Sequence, residues 1–242
     1  MNRSDLKLLL IQIRQNTDVK KEEVSSFAKF GNIKIEQIDV FDVFTNEPIP
    51  ESLLIEYHGI LIGGASEASV LEPKRYPFVP NIKEAINTCI RLNISVFASC
   101  FGFQVAVLAL GGEIIRDKTD FEMGTIPIKL TEAAKHDPCF KNVVTPFIAV
   151  SVHQEKAIEL PNKCIKLAYT QKCIHAFKLI DKPFWAFQFH PELDDICLKE
   201  RLSVYKEKYT EDSSHFQKII EDITPTPDSN ALVANFVNTL LK

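Results

Sequence analysis

Glycine is scarce in this chain. There are eight glycines among 242 residues, about half the usual ~7%. Five of them fall in three short clusters, Gly63-Gly64, Gly102 and Gly111-Gly112. A chain that avoids glycine elsewhere uses it there for backbone geometry. A basic excess is also missing: 28 Lys+Arg stand against 32 Asp+Glu, a net charge of −4. That argues against electrostatic capture of nucleic acid. No apolar run is long enough to span a bilayer, since Leu6–Ile13 is short and contains Lys7 and Gln12. No stretch reads as a signal peptide, so no membrane association and a cytoplasmic location are expected. The six cysteines form no CxxC pair, and in a reducing compartment most are expected to be free thiols. His58, His136, His175 and His215 lack ligand-like spacing, so neither a metal site nor a cofactor is expected. There is no internal repeat and no GxxxxGK[ST] phosphate loop.

What is present is a globular balance, 45% hydrophobic and 25% charged. Apolar strands are expected at Leu6–Arg14, Ile33–Val40, Gly59–Ile62 and Ile94–Ser99, and helices at Asp18–Phe30, Asn81–Leu92 and Phe103–Leu110. Such alternation predicts an α/β domain with a mostly parallel sheet and helices on both faces. After Gly112 strands dominate: Glu113–Arg116, Thr125–Leu130, Phe147–Val152, Ile165–Tyr169, Ile174–Leu179 and Phe184–Phe189, several of them antiparallel, with a short helix from Thr131 to Lys135. The tail beyond Asp194 reads as three helices, Cys197–Tyr209, His215–Ile223 and Ser229–Leu241. Tyr205, Tyr209, Phe216, Ile219, Ile220, Phe236 and Leu240 give it enough apolar surface to pack as an extension, 194–242, on the domain formed by 1–193. Trp185 reads as a core residue, and Cys139, Cys164, Cys173 and Cys197 as packing residues.

Three segments carry chemistry. In Ile94–Gln104 an apolar strand runs straight into Cys100 and then into a helix, with small Ala98 and Gly102 on either side. A nucleophile on a sharp strand-to-helix turn needs small neighbours at those two positions, and the helix N-terminus behind it favours a thiolate. The same pattern also fits a buried cysteine at a strand end. In Phe184–Glu192 a strand delivers His190, with Glu192 two residues on and able to hold its ring. Gly59–Ser66 places two glycines directly after a strand, where the amides of Gly64 and Phe101 could form an oxyanion hole.

In this order the segments resemble the class I glutamine amidotransferases, whose triad is Cys-His-Glu. The matching stretches are Leu61–Gly64, Cys100–Gln104 with Ala109–Glu113, and Gln188–Glu192, with weaker matches at Glu122–Gly124 and Val152–Pro161. The likeness spans about residues 5–193 and is nearest to the GMP-synthase-like stand-alone group. It implies a flavodoxin-like α/β core that hydrolyses the side-chain amide of glutamine. Cys100 would be the nucleophile, His190 the base and Glu192 its orienter. Gly64 and Phe101 would supply oxyanion donors, and Gln104, Gly63 and His153 would contact substrate, with Glu155 at the rim. Ala98, Ser99, Ala65 and Val152 depart from the family's usual residues. A γ-glutamyl peptidase or hydrolase with the same triad is the alternative, and a non-catalytic sensor on this fold the third. Sensor-type relatives place histidine directly after the cysteine, where this chain has Phe101. If ammonia is handed to an acceptor, a separate synthetase subunit must bind that acceptor, because the 49 residues after Leu193 are too few for a synthase.

Overall fold

The computed structural model describes residues 1–117, 121–204 and 213–241. Nine strands form one sheet, in the order β2-β1-β3-β4-β11-β10-β9-β6-β7. Five are parallel: β2 (Ile38–Asp42), β1 (Leu8–Gln12), β3 (Gly59–Ile62), β4 (Val96–Ser99) and β11 (Phe184–Phe187). Beyond β11 the pairing turns antiparallel through β10 (Ile174–Leu179), β9 (Cys164–Tyr169), β6 (Glu122–Leu130) and β7 (Phe147–His153). A separate two-stranded ribbon joins β5 (Ile115–Arg116) to β8 (Glu155–Lys156).

The period of two along the central strands sorts the core into two layers. On β1, Leu9 and Ile11 face one layer, which includes Ile82 and Ile86 of α3 (Phe78–Leu92) and Phe101 and Phe103 of α4 (Phe101–Ala109). Leu8 and Leu10 face the other, with Phe27 of α1 (Thr17–Gly31). Phe97 is fully buried there among the rings of Phe27, Phe187 and Phe236. Burial of each such ring stabilises by about 1.5–3 kcal/mol. α1 starts where the Asn16 side chain accepts from the Asp18 and Val19 amides. It stops at Asn32, which takes the left-handed conformation open to asparagine.

Several boundaries move from the expected ones. β2 begins only at Ile38, because Ile35–Gln37 form a 3-10 turn. α3 begins at Phe78, with Pro80 tolerated in its first turn. β11 ends at Phe187, since the Gln188 and His190 amides leave the parallel ladder for the carbonyls of His175 and Val150, each at 2.8 Å. A short α2 (Glu51–Leu54) and β8 were not expected.

In the tail, α5 (Asp195–Val204) places Leu198 and Leu202 against Val150, Leu193 and Ile223. α6 (Ser213–Asp222) follows, and α7 (Pro227–Thr239) buries Leu232, Val233, Phe236 and Val237 on the α1 side of the sheet. Tyr205 and Tyr209, expected in the first tail helix, lie outside the described residues, as does the Phe216 side chain. No helix among the described residues is long and apolar enough to cross a membrane.

From α7, Asn230 reaches back to the turn after β11: its Nδ2 donates to Pro191 O at 2.8 Å and to Leu193 O at 2.7 Å. Asn230→Ala strands the Pro191 carbonyl and leaves Leu193 O only the Thr226 hydroxyl at 3.3 Å, so a loss of about 1–3 kcal/mol of stability is expected. Urea unfolding of the two proteins measures it. An unchanged midpoint would show that the turn holds its shape without α7.

Candidate active site

β4 ends at Ser99 and α4 begins at Phe101, so the reversal from strand to helix falls on Cys100 alone. Its backbone lies at φ 48°, ψ −97°, a conformation that costs about 1–3 kcal/mol and persists only where the surroundings over-determine it. The Cys100 amide donates to Phe187 O at 2.7 Å, tying the elbow to β11. Two residues on, a Cβ on Gly102 would meet Ile62 O at 2.8 Å and Ile62 Cγ2 at 2.9 Å, so only glycine lets α4 start this close to β3.

The structure brings His190, Glu192 and Gly64 to the same point. His190 Nδ1 lies 2.7 Å from Glu192 Oε1, which turns the other ring nitrogen toward the Cys100 side. A Cβ on Gly64 would fall 2.6 Å from His190 Cε1 and 3.0 Å from Arg14 Nη2, so these two side chains exclude one at position 64, with Cys100 Cβ in contact distance at 3.4 Å. Burial opposes charge on the imidazole, but Cys100 and Glu192 overcome it and raise His190 to about 9. A cationic ring beside the sulfur is the setting in which a cysteine reacts as thiolate. For Glu192, burial favours the neutral acid, and His190 with Arg201 outweighs it and keeps the carboxyl below its ordinary range.

Cys100 opens into a cleft of about 370 Å³, a size suited to a small ligand. Its floor carries Phe101, Gln104 and His153, and its rim carries Ser66, Glu72, Arg75, Arg116 and Glu155. Gln104 is not free: its Nε2 donates to Glu155 O at 2.9 Å. Glu155 accepts from Ser69 Oγ at 2.5 Å and from Arg116 Nη2 at 2.6 Å, which joins β5 and β8 to the loop after β3. A wider depression of about 1300 Å³, beside Gly111-Gly112 and the β10–β11 turn, lies at the opposite, amino-terminal edge of the parallel strands and holds none of the triad candidates.

Supporting residues escaped the sequence reading. Arg14 and Glu23, both buried, pair at 2.9 Å. The Glu23 carboxylate occupies the place where a Cβ on Gly63 would sit, and Arg14 Nη1 donates to Ser66 Oγ at 3.0 Å. Together they clamp the Gly63–Ser66 loop from beneath. The available signal was Glu23 itself, an acid on the helix face shared with Val19 and Phe27.

Among the described residues, Glu122, His153, Cys173 and His175 also converge, with one donor atom of each within 4.8 Å of all the others. Burial favours the neutral form of Glu122, but His153 and His175 outweigh it and hold the acid well below its usual range. Cys173, expected as a packing residue, and His175, expected without ligand-like spacing, are both buried and both within hydrogen-bond reach of Glu122.

Residues 19–196 match the family model for glutamine amidotransferase class-I. The chain belongs to the class I glutamine amidotransferase family. It is 34% identical over 112 residues to a GMP synthase [glutamine-hydrolyzing] of Malacoplasma penetrans, covering 46% of this chain and 21% of that protein. A GMP synthase [glutamine-hydrolyzing] subunit from Methanocaldococcus jannaschii is 27% identical over 139 residues, covering 57% of this chain and 66% of the relative. The chain thus spans less than two thirds of these relatives. A glutamine amidotransferase from Thermotoga maritima shares the fold with a TM-score of 0.74 at 18% identity, covering 98% of each chain. A Methylobacillus flagellatus glutamine amido transferase does so at 0.71 and 15%, covering 98% of this chain and 94% of that one. The family-model match includes Cys100, His190 and Glu192 and ends at residue 196, before Arg201 and Asn230, whereas the fold likeness to the Thermotoga maritima protein covers 98% of the chain.

His190 is raised from 6.5, so its folded-state contacts contribute fully below about pH 6.5 and are lost as pH rises through about 9. Glu192→Gln removes one of the two groups that raise it. The midpoint of the His190 ring proton signal, followed by NMR against pH, is expected to fall by at least about one unit in that variant. An unmoved midpoint would mean that Glu192 does not hold the imidazole charged.

Proposed function

We propose that this protein hydrolyses the side-chain amide of glutamine through a Cys100-His190-Glu192 triad. The observation that carries the reading is the strained Cys100 elbow in contact with His190, whose ring is itself bonded to buried Glu192. A thiolate at Cys100 attacks the carboxamide carbon. The developing oxyanion points at the amides of Gly64 and Phe101, neither of which is engaged by a protein acceptor among the described residues. Charged His190 gives its proton to the leaving nitrogen, ammonia departs, and a γ-glutamyl thioester remains on the sulfur. Water, deprotonated by the now neutral His190, attacks the thioester, and glutamate leaves with the Cys100 thiolate and the charged His190 ring restored.

The cleft rim carries both charges, with Arg116 paired to Glu72 and Glu155 and Arg75 paired to Glu72, so an amino acid bearing both charges can exchange contacts with either sign there. Gly63 shapes the approach to Gly64, and His153 and Gln104 form the floor under the substrate. Two relatives are named as subunits of a glutamine-hydrolysing GMP synthase. By that likeness the ammonia passes to a separate synthetase chain that binds the acceptor. The cleft continues past Gln104 to Arg75, which leaves room for a larger γ-glutamyl compound as the second substrate reading.

A glutamine analogue with an electrophile in place of the amide is expected to modify Cys100 far faster than the other five cysteines. Cys100→Ala should abolish labelling and reduce amide hydrolysis by at least about 10³-fold. His190→Ala should come close to that, and Glu192→Gln should keep a measurable remainder. Ammonia and glutamate release from glutamine and from γ-glutamyl dipeptides is the assay. Equal labelling of several cysteines, or full hydrolysis by Cys100→Ala, rules the mechanism out. Turnover of the dipeptides alone moves the substrate from glutamine to γ-glutamyl amines.

A further inference from the structure

Glu122 and His153 face each other across β6 and β7 as register partners, at the end of the antiparallel sheet nearest Cys100. Cys173 and His175 come from β10 and the residue just before it, two apart and therefore on one side of the strand. Their donor atoms close on a common point. His175 Nε2 is 2.8 Å from Glu122 Oε2, and Cys173 Sγ is 3.4 Å from His175 Nε2 and 3.5 Å from Glu122 Oε2. His153 Nε2 stands 3.3 Å from the same carboxylate oxygen, yet without the alignment of a hydrogen bond. All four residues are buried.

We propose that Glu122, His153, Cys173 and His175 form a binding site for one divalent transition-metal ion, with zinc the best fit. Tetrahedral zinc with bonds of about 2.0–2.3 Å sets its ligand atoms about 3.3–3.8 Å apart. The four spacings above lie within about half an ångström of that range, so small side-chain rotations suffice. The donor set is the mixed nitrogen, sulfur and oxygen kind that selects zinc over calcium or magnesium. Charge agrees as well: a thiolate and a carboxylate neutralise a dication, and the two imidazoles bind uncharged, as a buried site requires. On binding, the Cys173 thiol gives up its proton to solvent and the sulfur lone pair forms the bond to the metal.

With four protein donors no position stays open for water, so the ion acts structurally and not as a hydrolytic centre. It ties β10 to the β6–β7 pair one residue beyond Val152, whose carbonyl lies 3.9 Å from Cys100 Sγ. It therefore fixes the wall of the cleft without touching the reacting atoms. The outer nitrogens of both imidazoles find no protein partner among the described residues. An ordinary zinc site supports them, and loss of such support weakens binding by about 10–100-fold. The affinity is accordingly set below that of a closed zinc finger.

The test is metal binding by the full chain, stripped with a chelator and dialysed against Zn²⁺ or Co²⁺ alone. About one equivalent per chain should bind. Co²⁺ should show the intense visible bands of a tetrahedral site together with a thiolate-to-cobalt charge-transfer band. That band should disappear in Cys173→Ser and survive in Cys100→Ser, and His175→Gln should weaken binding at least tenfold. Should Cys173→Ser fail to fold, Cys100→Ser decides alone: a band kept supports the site, a band lost places the ion at the nucleophile and overturns it. No stoichiometric binding by the wild-type chain also overturns it, leaving a hydrogen-bonded Glu-His network. None of these readouts depends on glutamine turnover.

Discussion

Cys100 occupies a conformation that its own Cβ disfavours, and the parallel half of the molecule is arranged to hold it there. The strain of about 1–3 kcal/mol is small against a packed core but large for a single turn, so it must be met by neighbours that cannot relax. β3 supplies one through Ile62, whose carbonyl leaves no room for a side chain at Gly102. β11 supplies another through Phe187 O, which fixes the Cys100 amide. Both strands flank β4 in the centre of the sheet, with burial on both faces. Cys100 therefore stands at the carboxyl ends of the strands, where open α/β sheets bind ligands.

The change from parallel to antiparallel pairing at β11 matters as much. In a parallel strand the next residues would climb into a crossover helix. Here Gln188 and His190 turn their amides to β10 and β7 instead. That bend carries His190 over the elbow and lets Glu192 fold back under it. It also brings the end of β7, with Val152 and His153, to the opposite side of the sulfur. The two halves of the sheet thus contribute separately: one provides the strained cysteine, the other His190 and the cleft wall.

The candidate site was legible in the sequence where it is local and hidden where it is assembled. Small residues around Cys100, the paired glycines after β3 and the His-x-Glu spacing each reflect a constraint acting within a few residues, so a linear reading finds them. The alternation of strands and helices up to Gly112 was legible for the same reason. The Glu122-His153-Cys173-His175 group was not, because its members are 31, 20 and 2 residues apart in turn and meet only through strand register. Asn230 was hidden too. It reads as an ordinary polar residue of a surface helix until its two bonds to the turn after His190 are seen. The early start drawn for β2 misjudged Ile33 and Ile35 as strand positions, although Ile33 lies in the bend after α1 and Ile35 opens a 3-10 turn.

Helix α1 joins these features through two adjacent acids. Glu23 points inward to Arg14, which reaches Ser66 and steadies the glycines beside Cys100. Glu22 meets Arg201 of the tail at 2.5 Å, and Arg201 in turn helps keep Glu192 ionised beneath His190. Buried ion pairs return little net stability, because desolvation cancels most of the Coulomb gain. Their directionality is what distinguishes them: a guanidinium holds its partners in a fixed plane, which an apolar contact does not. One helix therefore sets both the Gly63–Ser66 loop beside Cys100 and the Glu192 carboxylate bonded to His190. The tail, beyond residue 196 where the family-model match ends, supplies Arg201 to the second of these links. Precision at the triad then depends on α5 and α7 being seated as much as on the sheet that carries Cys100.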